Sequence, residues 1–148
     1  MAKEIQCIVV SKESFSISTT GMVTGEIWFE FSEFSFPEKH WNDFVAVVLS
    51  WWCEAMNSIR YLGENSILRF MDGPYEVQAS RVASDSIKLS FAEGRSRRVA
   101  HTSQVSVKDF KNSLIRASQA VLSFCGNHKI ENNDIEKLRN EVRILADY

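Results

Sequence analysis

The segment from Phe36 to Trp52 limits the possible folds more than any other part of the chain. It holds three of the four tryptophans and the apolar run Phe44–Leu49. A proline, a few polar residues and then an apolar stripe is the pattern of a chain entering a buried helix. A Trp-rich helix over roughly Trp41 to Tyr61 puts Trp41, Phe44, Val45, Val48, Trp52, Ala55, Met56 and Ile59 on one broad face. Val47 and Trp51 lie beside that stripe, so the helix must be covered on two sides or sit against a wide sheet. Gly63 stands where a left-handed residue would end it.

Around this helix the pattern is that of strands. Ile5 to Val10 reads as a strand, and Ser14 to Thr19 as its continuation or partner, with Gly21 and Gly25 bracketing a turn. Glu26–Ser32 alternates cleanly, with Ile27, Phe29 and Phe31 on one face and Glu26, Trp28, Glu30 and Ser32 on the other. Ile67–Met71 and Tyr75–Val82, joined by Asp72-Gly73-Pro74, form a hairpin. Ser86–Phe91 and a strand around Arg97–Val105 extend it to a meander. Ser106 then caps a helix striped by Phe110, Leu114, Ala117, Val121 and Cys125 and closed by Gly126. A last helix starts near Asn132, with Ile135, Leu138, Val142 and Leu145 on its apolar side. The order ββ-α-ββββ-αα predicts a single α+β domain over residues 1–148. Its expected form is an antiparallel sheet of about six strands, with the long helix and two C-terminal helices packed mainly on one face.

Little in the sequence points to catalysis. Cys7, Cys53 and Cys125 are too few and too scattered for a disulfide framework or a zinc site. Cys53 and Cys125 read as small buried hydrophobes in helix stripes. A thiol enzyme built from Cys53, His40 and Asp43 would need side chains about 15 Å apart along one helix to meet. His40, His101 and His128 fall in three different elements without metal-ligand spacing. Phosphate-loop and nucleophile-elbow patterns do not occur. No cofactor, metal or catalytic residue is expected. The first residues do not read as a signal peptide and the longest apolar run is far short of a membrane span, which predicts a cytoplasmic protein without membrane attachment.

Three surfaces remain. Arg95-Ser96-Arg97-Arg98 is a basic hairpin tip, open to reading as an RNA-binding module or as a solvated turn. Asp72-Gly73-Pro74 suits a ligand loop or a structural turn. Trp28 between Glu26 and Glu30 resembles an interface hot spot with a charged surround, unless a second layer covers it. Glu26, Trp28, Glu30 and Glu76 are the candidate partner-binding residues. Charge points the same way: residues 1–76 carry 11 acids and 5 bases, although the whole chain is only −2. An acidic front half would suit a basic partner.

Gly25-Glu26-Ile27-Trp28, Phe36-Pro37, Trp41-x-Asp43-Phe44, Leu49-x-Trp51-Trp52 and Phe70-Met71-Asp72-Gly73-Pro74-Tyr75 together resemble small bacterial proteins encoded beside polymorphic toxins. These include the immunity proteins of contact-dependent growth inhibition systems. The similarity covers roughly residues 21 to 82, and the C-terminal helices add nothing to it. It implies a stoichiometric inhibitor that binds the toxic C-terminal domain of a cognate effector in the cytoplasm. No contact residue is carried over from the resemblance. A net charge of −2 is mild for a nucleic-acid mimic, so the implied toxin need not be a nuclease.

Overall fold

The computed structural model describes residues 7–96 and 98–148. Among them the chain forms β1 (Ile8–Ile17), β2 (Val23–Phe31), β3 (Phe34–Phe36), β4 (Asn42–Asp43), α1 (Val45–Asn57), β5 (Asn65–Arg69), β6 (Tyr75–Ala83), β7 (Ser86–Glu93), β8 (Arg98–Ser106), α2 (Val107–Asn127) and α3 (Asn133–Ala146). The α+β class with antiparallel pairing is as expected, but the single sheet of about six strands is not. Eight strands among the described residues divide into two four-stranded sheets.

The first sheet is built on β2. One edge of β2 pairs with β1, and the other carries β3 and β4 end to end. The second sheet is the meander β5-β6-β7-β8, with the β5–β6 hairpin turning at Asp72-Gly73-Pro74. An aromatic cluster joins the two sheets. Phe29, Phe34 and Phe36 all meet Phe91 at ring-centroid distances of 5.2 to 5.4 Å. Trp52 packs 4.9 Å from Phe29, and its Nε1–H donates to the Arg69 carbonyl at 2.8 Å. Helix α1 therefore does lie between layers: β2 and β5 meet it on one side, α2 and α3 on the other.

Several expected boundaries shift. Helix α1 begins at Val45, not Trp41, because Asn42 and Asp43 are extended and hydrogen-bonded to β2. It ends at Asn57, so Gly63, at φ +90°, serves the turn into β5 and does not cap a helix. Of the two readings of Ser14–Thr19, continuation holds to Ile17: β1 runs that far through an irregularity between Ser11 and Ser16. Gly25 lies inside β2, where a Cβ would sit 2.5 Å from Cδ1 of Phe15. This glycine lets an aromatic ring cross the strand. Helix α2 runs one residue past Gly126, and Lys129 supplies the left-handed backbone at φ +55°. The expected cap at Ser106 is present, its Oγ accepting from Asp109 N–H, and Asn132 also caps α3 by accepting from Ile135 N–H. The proposed strand residues Ile5, Gln6 and Arg97 lie outside the described residues. No helix among the described residues is long and apolar enough to cross a membrane.

Candidate partner-binding face

The outer face of β2 is shaped by the chain's route between β3 and β4. Both strands pair with the same edge of β2, at Phe29–Phe31 and at Gly25–Glu26. The five residues Pro37–Trp41 between them must arch away from the sheet. The arch contains a cis Phe36–Pro37 bond and a left-handed His40 at φ +64°, and it is tied back where Ile27 N–H donates to the Trp41 carbonyl at 2.7 Å.

The arch covers Trp28. The His40 ring packs against the Trp28 indole at 5.0 Å, and Trp28 is only 6% exposed. Of the two alternatives for Trp28, exposed anchor or covered side chain, the second holds, but the cover is a loop and not a strand or helix. Around it the carboxylates are held in place. His40 Nδ1 lies 2.9 Å from Glu26 Oε1. Trp28 Nε1–H donates to Glu30 Oε1 at 3.3 Å, and Lys39 Nζ stands 3.7 Å from the same oxygen. The Glu26 and Glu30 side chains remain 30% and 38% exposed. Glu33 and Glu38 are exposed at the rim, and a depression of about 590 Å³ lies between Glu30, Glu33 and Lys39. Four carboxylates thus stand against one lysine and one histidine.

Glu76 does not join this face. It belongs to β6, is 10% exposed at the side chain, and pairs with Arg69 at 3.5 Å across the β5–β6 ladder. Nothing local in the sequence shows that Arg69 would cover it, because the two meet only through the β5–β6 pairing.

Asp43 was legible only as a conceivable orienter of His40. It is buried and accepts from three N–H groups: Trp41 Nε1 at 3.0 Å, Phe44 N at 2.7 Å and Asp72 N at 3.2 Å. One carboxylate thus ties the arch, the start of α1 and the β5–β6 turn together. The Asp72-Gly73-Pro74 turn is held from the other side by Trp41, whose ring would lie 3.0 Å from a Cβ at Gly73. A structural turn accounts for those residues.

His40, Asp43 and Cys53 do not come together as a thiol site. Cys53 is buried in α1 with its Sγ 3.6 Å from Ser118 Oγ. Burial pushes its thiol up to about 12, and Cys7 is pushed up to about 12 by the same cause. A thiol so raised is not a nucleophile at neutral pH. Among the described residues no group of three His, Cys, Asp or Glu side chains is arranged to hold a metal. At the basic hairpin tip, Arg95 pairs with Glu93 at 3.4 Å and Arg98 opens β8; Arg97 lies outside the described residues.

Arg81 escaped the sequence reading. This cation is buried and donates to the carbonyls of Ile59, Ala83 and Ser84 and to the Tyr148 hydroxyl. It fastens the residues after α1 to the β6–β7 turn and to the chain terminus, a role no local pattern announces.

No protein-family model matches the chain, nor does any curated protein or solved structure.

Proposed function

We propose that this chain is an immunity protein of the contact-dependent growth inhibition type, which neutralises a cognate toxin domain by stoichiometric binding. The observation that carries the reading is the face around Trp28. Glu26 and Glu30 are half-exposed, each two residues from Trp28 on one strand, and restrained by His40, Lys39 and the Trp28 indole N–H. Carboxylates ordered before binding lose little side-chain entropy when they meet a cationic surface. Clustered with Glu33 and Glu38, they also steer a basic partner toward the face. Trp28 forms the floor that sets their spacing, and the contact groups are the carboxylates.

The test is co-purification with the toxin domain encoded by the adjacent gene, followed by binding kinetics. A one-to-one complex is expected. Glu26→Lys combined with Glu30→Lys should weaken it at least about 100-fold, with much of the loss in association rate and a strong dependence on salt. Absence of a complex, or a charge-reversed variant that binds as well as the native chain, sinks the reading.

A further inference from the structure

A second surface is the outer edge of the β5–β8 meander. Strands β1 and β5, which also stand at sheet edges, are met there by helices. Ser113 of α2 accepts from Ile8 N–H of β1 at 2.9 Å, and Trp52 of α1 donates to the Arg69 carbonyl of β5 at 2.8 Å. Strand β8 pairs with β7 alone among the described residues. Register shows which of its groups are left over. Val107 N–H donates to the Asp85 carbonyl at 2.8 Å, and the ladder is regular from Ser86 opposite Ser106 to Phe91 opposite His101. Bonded pairs alternate with unbonded ones in an antiparallel ladder. His101, Ser103 and Val105 therefore bond to β7, and Thr102 and Gln104 direct their N–H and C=O groups outward. The far side of β7 agrees: Gly94 N–H donates to the Pro74 carbonyl, a phase that turns Lys88 and Ser90 toward β6. Thr102 and Gln104 are both exposed, and the irregularity of the ladder falls beyond His101, toward the tip.

We propose that two copies of this chain pair antiparallel along β8, about a two-fold axis at Ser103. An unpaired strand edge is a template for another strand, and proteins usually blunt it with charge, proline or a cover. Val99–Val105 contains no lysine, arginine, carboxylate or proline. The axis sets Thr102 opposite Gln104 of the second copy, and each such pair exchanges two main-chain hydrogen bonds. Charge selects a second copy in this orientation. One end of the edge is the β7–β8 tip, where Arg95 and Arg98 are exposed and Glu93 offsets Arg95. The other end is the start of α2, where exposed Asp85 and half-buried Asp109 outnumber Lys108. Antiparallel pairing brings each basic tip to the acidic end of the other copy, whereas parallel pairing would set tip on tip. The arrangement is closed, because the same patch serves both copies. It uses no residue of the face around Trp28, so it stands independently of the reading proposed above.

Sedimentation equilibrium of the full chain at low salt tests it. A monomer–dimer equilibrium with Kd below about 100 µM is expected, between weak and tight recognition. Thr102→Pro removes an outward N–H that β7 does not use, a position where an edge strand tolerates proline, and should raise Kd at least about 10-fold. Arg98→Glu should raise it at least about 5-fold, and adding Asp85→Lys to that variant should restore most of the loss. Ser103→Cys places two thiols face to face at the axis, where the side chains of an unbonded pair lie closest. Mild oxidation should then give a disulfide-linked dimer, since Cys7, Cys53 and Cys125 are buried and do not compete. Three results overturn the proposal: a chain still monomeric at about 1 mM, where even millimolar association would show, a dimer indifferent to Arg98→Glu, and a Ser103→Cys variant that forms no cross-link.

Discussion

Replacing Asp43 by alanine tests whether one buried carboxylate organises the segment that carries the candidate face. Its oxygens accept from Trp41 Nε1–H, Phe44 N–H and Asp72 N–H at 2.7 to 3.2 Å. A hydrogen bond to a charged group contributes about 1.5–3 kcal/mol, and a buried donor left unpaired costs its full desolvation. All three donors are only partly buried, so water would recover part of the loss. The net destabilisation of Asp43→Ala is then about 3–4 kcal/mol, a large share of a domain's roughly 5–15 kcal/mol. At a urea slope of about 2 kcal/mol per molar, the midpoint should fall by about 1.5–2 M at unchanged slope. Asp43→Asn keeps the shape and one good acceptor but turns an amide N–H toward a donor, and should cost about 2 kcal/mol. Tryptophan fluorescence against urea measures both, since Trp41 is itself a partner of the carboxylate. A loss below about 1 kcal/mol for Asp43→Ala, or asparagine more damaging than alanine, would refute the reasoning.

Two further outcomes follow from burial. Gly25→Ala sets a methyl 2.5 Å from the Phe15 ring, and should cost about 1–3 kcal/mol unless Phe15 is also reduced to leucine; equal urea midpoints for the native chain and Gly25→Ala would contradict the close approach. The Cys7 and Cys53 thiols rise from 9.0 to about 12 because burial disfavours the thiolate. Unfolding releases their protons more readily, so the stabilisation is fully present below pH 9 and is lost as pH climbs toward 12. Each thiol adds a slope of up to about 1.4 kcal/mol per pH unit, and Cys53→Ala should remove one of the two contributions. A flat urea midpoint from pH 9 to 10.5 would contradict this, as would rapid native-state alkylation of Cys53 by iodoacetamide at pH 8.

How far the sequence could be read depends on the range of the interaction. The alternation of Glu26–Ser32 located β2 and sorted its two faces correctly, because in a strand the side-chain period follows from backbone geometry alone. The cap at Ser106 and the hairpin at Asp72-Gly73-Pro74 were equally plain, since each rests on bonds between near neighbours. Trp41 was misassigned for the converse reason. Its apolar character fits a helical stripe, and only pairing of Asn42 and Asp43 with strand residues 16 and 18 positions earlier draws it out of the helix. The division into two sheets is hidden in the same way, because strand order is decided by partners far apart in the chain.

Taken alone, the sequence determined that β2 has one apolar face and one face of Glu26, Trp28 and Glu30, and that an aromatic-rich helix must be buried near it. Tertiary structure decided what that outer face offers. Pairing of β3 and β4 with one edge of β2 forces residues 37–41 into an arch, the arch lays His40 on Trp28, and the carboxylates on either side remain open to a partner. It also separated Glu76 from them and, among the described residues, left one edge of β8 unpaired. Those outcomes depend on contacts between residues distant in sequence, and a local pattern of polar and apolar residues does not encode which distant groups will meet.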